Sequence, residues 1–167
     1  INLLNKKKYN PNLTLDDNFQ KIVIEVGFGN GDYLIDNAKK NPNTLYIGSE
    51  VYINGIARVL KSIITLHLKN IKLCGLNFLY LLRSLKLKTI DEIYIINPDP
   101  WPKKRHNKRR LLNYENLIAM NSLLKKNGKI FISTDSKDYF DEIKICVNND
   151  KHFDKALFGC MSRSDAL

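Results

Sequence analysis

A chain of 167 residues, 44% apolar and 26% charged, has the length and balance of one globular domain with a real core. Lys and Arg number 27 against 17 Asp and Glu, and the net charge of +10 points to a polyanionic partner: RNA, DNA or an anionic membrane. No apolar run reaches about 18 residues, so the sequence supports no transmembrane helix.

Residues 1 to 20 are polar, with Lys6, Lys7 and Lys8 in a row, and read as an N-terminal arm that precedes a single domain over 21 to 167. Ile22, Val23, Ile24 and Val26 then form a short apolar run typical of a buried parallel strand. Glu25 lies inside it, which is costly without a partner. Gly27, Gly29 and Gly31 follow, and an amphipathic helix is predicted over Asp32 to Lys40. Strand, Gly-rich turn and helix make the ligand-binding corner of a doubly wound fold. The spacing is G-x-G-x-G. A dinucleotide fingerprint needs Gly where this chain has Asp32, whose charge repels a pyrophosphate; Asp32 can also cap the helix. The turn therefore favours a ligand without phosphates and disfavours an NAD-dependent oxidoreductase.

A second strand is predicted over Thr44 to Gly48, with Glu50 at its end, placed to accept from the two hydroxyls of a ribose. The next helix runs from Asn54, its expected cap, to His67, burying Ile56, Val59, Leu60, Ile63 and Ile64. Ile71 to Cys74 reads as a third strand. Asn77 after it either faces an adenine or caps a helix over Phe78 to Leu85. Ile90 to Ile96 is the fourth strand.

The block Asn97-Pro98-Asp99-Pro100-Trp101-Pro102 comes next, and its three prolines forbid helix or central strand. Asp99 is thus a carboxylate held at a strand end beside an aromatic ring. Lys103, Lys104, Arg105, His106, Lys108, Arg109 and Arg110 follow as a solvated basic run. A positioned acid beside a polyanion-binding patch reads as a reaction centre that works on nucleic acid. Trp101 either stacks on a base or covers the sheet end. Asn113 caps a helix over Tyr114 to Leu124, which stops at Lys125-Lys126-Asn127-Gly128. Lys129 to Ser133 is a fifth strand ending at Thr134-Asp135, Lys137 to Asn148 a helix, and Phe153 to Phe158 a sixth strand. Strands alternating with helices imply an α/β fold, a Rossmann-like doubly wound and mostly parallel sheet. Cys74, Cys146 and Cys160 are odd in number and widely spaced, which suits reduced thiols in a cytoplasmic protein rather than disulfides or zinc.

The turn IEVGFGNG with Glu50 beyond it resembles that of a class I S-adenosylmethionine-dependent methyltransferase. The segment PDPWPKKRHNKRRL is more specific: with IGSEVY, the NGK turn and STDSKDY, it resembles the bacterial tRNA (guanine-N7)-methyltransferase family over residues 22 to 145. The resemblance implies transfer of a methyl group from S-adenosylmethionine to a guanosine in the tRNA variable loop. It implies cofactor contacts at Glu25, Glu50, Asn77 and Asp99, with Asp99 also catalytic, beside the ligand-binding turn of Gly27, Gly29 and Gly31. It places Lys103 and Asp135 on the substrate, and the segment with Arg105, His106, Lys108, Arg109 and Arg110 on the RNA; Trp101 is a candidate to join them by stacking. No metal is expected, and the expected state is a monomer. Two other readings compete: a methyltransferase acting on an exocyclic amine of a base, whose motif N-P-D-P-W loosely matches, and a catalytically degenerate RNA-binding relative. The family's T-x-[FY]-E motif is not matched before the chain stops at MSRSDAL, so the expectation is a truncated or frameshifted end with incomplete C-terminal strands.

Overall fold

The computed structural model describes residues 15, 18–148 and 153. Five strands form one sheet in the order β3-β2-β1-β4-β5: β1 Lys21–Val26, β2 Thr44–Ser49, β3 Ile71–Cys74, β4 Ile90–Ile96 and β5 Leu124–Ser133. Every neighbouring pair is parallel. Parallel pairing needs a crossover between strands, and helices supply it. The chain winds outward from β1 through β2 to β3, then returns to the other side of β1 as β4. That reversal opens a crevice beyond the carboxyl ends of β1 and β4, where doubly wound sheets take their ligands.

The helices are α1 Asp32–Lys40, α2 Ile53–Thr65, α3 Phe78–Ser84, α4 Tyr114–Leu123 and α5 Lys137–Asn148. Two apolar clusters lie on the sheet. One joins α1 and α2 to Val23, Tyr46 and Leu73; the other joins α3, α4 and α5 to Ile22, Ile24, Leu45, Ile47, Ile93 and Ile95. Adjacent residues of one strand thus feed opposite clusters, as the period-2 alternation of a strand demands. Cover on both faces explains why β1 and β2 are buried almost throughout.

The expected fold class and five of the six expected strands are present. Four local expectations are corrected. Asp32 does not cap α1: Gly31 holds the cap position, and Asp32 pairs with Arg58 of α2 at 2.5 Å. Asn54 does not cap α2, which starts after Tyr52. Ile64, expected on the buried face, is 61% exposed, because α2 packs through Val59 and Ile63, with Ile56 and Leu60 half-buried beside them, and Ile64 lies off that stripe. Finally, the sequence KKNG is not a helix stop before a strand; α4 ends at Leu123, and KKNG is an irregularity inside β5. Leu124 pairs with Ile90 and Lys129 with Glu92, so the segment from Lys125 to Gly128 bulges out opposite Asp91 alone, with Asn127 at φ 70°. Cys74 and Cys146 are free thiols. Most of the expected arm, the expected sixth strand and Cys160 lie outside the described residues. Leu15, Phe19 and Phe153, which are described, rest against the larger cluster.

Candidate active site

The glycine turn is closed below and open above. Gly27 donates its N–H to the Ser49 carbonyl and Gly31 to that of Phe28, at 2.8 and 2.7 Å. Phe28 is buried beneath the turn with Leu34, 2.7 Å from where a Cβ on Gly48 would stand. From the other side α2 presses in so closely that a Cβ on Gly55 would strike the carbonyl oxygen of Gly29, and one on Gly31 the side chain of Val59. Above, a Cβ on Gly27 or Gly29 would meet nothing within 4 Å. Gly29 stands at φ 52° and Gly31 at φ 77°, conformations that cost a side-chain residue about 1 kcal/mol or more. These glycines make a cradle with bare backbone facing outward.

Glu50 is fastened to that cradle. Its Oε2 accepts from Gly29 N–H at 2.8 Å, and its Oε1 from the N–H groups of Val51 and Tyr52 at 2.6 and 2.9 Å. Glu25 lies beneath, 4% exposed, with no hydrogen-bond partner for Oε2 among the described residues. Burial pushes its carboxyl up to about 8, and the negative charge of Glu50 adds to the rise. A buried carboxyl oxygen left without a partner calls for one from outside the chain, a water or a ligand group. Asn77, at the end of β3, caps α3 by accepting from Leu79 N–H at 2.9 Å.

The proline-rich loop leaves the same edge of the sheet. Val26 pairs with Ile95, so Gly27 and Ile96 continue side by side, and Asp99 lies three residues further on, exposed. Asn97 and Trp101 bracket Asp99 in left-handed conformations, φ 49° and 43°. The indole of Trp101 meets His106 edge to face at 5.9 Å and carries the Arg109 guanidinium over its ring at 4.8 Å. The basic run is not an extended tail. Lys104–Arg109 form a 3-10 helix that displays Lys104, Arg105, Lys108 and Arg109 to solvent, with Lys103 exposed just before it. Asp135, after β5, is exposed as well.

Arg110 departs from the expected basic surface. It is 5% exposed, ion-paired with Glu142 of α5, and its Nε–H donates to the Pro100 carbonyl at 2.8 Å. Sequence reasoning missed Gly55, Phe28, Tyr139 and Glu142. Only Gly55 left a trace, as a glycine inside a helical pattern. Among the described residues no three His, Cys, Asp or Glu side chains cluster as metal ligands would, and no helix is long and apolar enough to cross a membrane.

A glycine cradle after β1, a carboxylate after β2 and an amide after β3, all on one edge of a 3-2-1-4-5 parallel sheet, define the class I methyltransferase fold. The family model Methyltransf_4, described as "Putative methyltransferase", matches residues 19–157, and the chain belongs to that family. A "Bifunctional methyltransferase" of Rickettsia bellii is 39% identical over 132 residues, 79% of this chain and 24% of that protein. A "tRNA (guanine-N(7)-)-methyltransferase" of Neorickettsia sennetsu is 37% identical over 123 residues, 74% of this chain and 57% of that protein. The chain thus spans between a quarter and somewhat over half the length of these relatives. In fold it resembles the crystal structure of a 30S ribosomal A1408 methyltransferase from an uncultured bacterium, at TM-score 0.61 and 22% identity over 89% of this chain and 77% of that one.

Proposed function

We propose that this chain transfers a methyl group from S-adenosylmethionine to N7 of a guanosine in the variable loop of tRNA. The observation that carries the proposal is the shared edge: the Gly29–Glu50 cradle and the Asp99 loop leave adjacent strands side by side, with the basic 3-10 helix next in the chain.

The residues fit the cofactor. Bare backbone at Gly27 and Gly29 admits a ligand to van der Waals contact. Glu50, at the end of β2, is placed to take ribose hydroxyls, and the orphaned Oε2 of Glu25 to take an ammonium. Asn77 offers an amide at the neighbouring strand end. Bound there, S-adenosylmethionine supplies an electrophilic methyl on a cationic sulfur.

Guanine N7 carries a lone pair and no proton, so the chain needs no general base, and His106 is given no such role. Attack leaves the purine cationic. What the protein supplies is position and negative charge near the base, and Asp99 supplies both. It accepts from the guanine edge and offsets the growing charge. Lys103 and Asp135, exposed on the loops after the neighbouring strands β4 and β5, orient the nucleotide. Trp101 offers a face for stacking. Lys104, Arg105, Lys108 and Arg109 bind phosphates from the exposed side of the 3-10 helix. A tRNA substrate sets the work in the cytoplasm.

Calorimetric titration with S-adenosylhomocysteine tests the cofactor half. Saturable binding that Glu50→Gln weakens supports it; no binding by the folded chain refutes it.

A further inference from the structure

We propose that Arg110 is a positioning residue: clamped between Glu142 of α5 and the Pro100 carbonyl, it fixes the loop that presents Asp99, and it takes no part in gripping RNA. The proposal rests on the reading of Asp99 as the residue beside the reacting base.

Arg110 closes a run of cations and is the one of them turned inward. Arg109 lies over Trp101 on the surface; Arg110 lies over the ring of Tyr139, 4.8 Å from its centroid, in the interior. Its side chain is 4% exposed, so a phosphate reaches it only by breaking the pair with Glu142. The residue is held at three points. The backbone N–H donates to Asn107, Nε–H to Pro100, and Nη1–H to Glu142. Tyr139 is itself immobilised: it is wholly buried and its hydroxyl accepts from Leu112 N–H at 2.7 Å.

The loop needs such an anchor. Pro98, Pro100 and Pro102 contribute no backbone N–H, so the loop has few donors with which to hold its own shape. It also holds Asn97 and Trp101 at positive φ, which persists only where surroundings dictate it. A donor arriving from outside onto the carbonyl next to Asp99 meets that need. The guanidinium fork suits the task because Nε–H and Nη1–H point to two acceptors at once from a rigid plane; a lysine ammonium on its flexible stem does not reproduce this. Through Glu142, the position of α5 sets the position of Asp99.

The test uses the whole chain as wild type, Arg110→Lys, Glu142→Gln and, as a surface comparison, Arg109→Ala. Single-turnover methyl transfer, tRNA affinity against salt and emission of Trp101, the single Trp of the chain, are measured. Arg110→Lys is expected to slow transfer by about 10- to 100-fold, as a small misplacement of a reacting group does, with tRNA affinity and its salt slope unchanged and Trp101 emission altered. Glu142→Gln moves rate and emission the same way by less. Arg109→Ala weakens tRNA binding and flattens the salt slope by roughly the share of one phosphate. The clamp is overturned if Arg110→Lys also flattens the slope, which makes Arg110 a phosphate ligand, or if it leaves rate and emission alone. Should Arg110→Lys not fold, Glu142→Gln with wild-type rate and emission overturns it instead. Absence of methyl transfer by wild type refutes the proposed function, while the emission and salt arms still decide whether the clamp exists.

Discussion

Gly29 donates its backbone N–H to Oε2 of Glu50 across 2.8 Å, and this bond joins the turn after β1 to the end of β2. With Oε1 accepting from Val51 and Tyr52, one carboxylate holds three backbone donors at the mouth of the crevice. The same side chain thus ties the glycine turn to the segment that leads into α2.

Glu50→Gln keeps the shape of the side chain but turns an NH2 group toward backbone donors. Hydrogen bonds to a charged acceptor are worth about 1.5 to 3 kcal/mol, so S-adenosylhomocysteine affinity is expected to fall by about tenfold or more. Calorimetry on the variant checks this, and an unchanged affinity places the ribose elsewhere.

Glu25 makes stability fall with rising pH. Its carboxyl titrates at about 8 in the folded chain against 4.5 for an ordinary glutamate, so between those values the folded state holds a proton that the unfolded state has released. The favourable contribution is whole below the unfolded value, declines by about 1.4 kcal/mol per pH unit in that window, and is gone above the folded value. Urea melts at about pH 5.5 and about pH 7.5 are expected to show this slope in wild type and its loss in Glu25→Gln.

Gly55→Ala tests the packing that shapes the cradle. The new methyl has to displace the Gly29 carbonyl, which is backbone and cannot swing aside. Overpacking of this kind costs about 1 to 3 kcal/mol. A lower melting temperature and weaker S-adenosylhomocysteine binding are expected together; a fall in stability alone separates Gly55 from the site.

Replacing Lys104, Arg105, Lys108 and Arg109 with Ala removes the exposed cations of the 3-10 helix. Every phosphate that is no longer neutralised lowers the slope of log affinity against log salt by roughly 0.7 to 0.9. Filter binding of tRNA across a salt series is expected to give a slope flatter by up to about 3, with S-adenosylhomocysteine binding intact.

What the sequence disclosed and what it hid have physical causes. β1, β2, β3 and β4 were legible because apolar runs bounded by turn residues have few other uses, and the cradle because glycines at 27, 29 and 31 follow such a run. Asn77 was open between two roles, and the bond to Leu79 N–H shows that it caps α3. The KKNG bulge imitates a helix stop, since Asn at positive φ before Gly serves either end. Arg110 was hidden because its partners, Pro100, Glu142 and Tyr139, come from separate parts of the chain, and a local run of cations gives no sign of which one turns inward. Gly55 was hidden because a helix pattern does not say what approaches it.

The most direct test is chemical. Unmodified tRNA is incubated with the chain and S-adenosylmethionine, then treated with borohydride and aniline, which cut the strand at 7-methylguanosine. Scission at a guanosine of the variable loop, abolished by Asp99→Ala while tRNA binding stays, is the predicted result. Methyl incorporation with no scission puts the group on another atom, and no incorporation by a chain that binds both S-adenosylmethionine and tRNA contradicts the assignment outright.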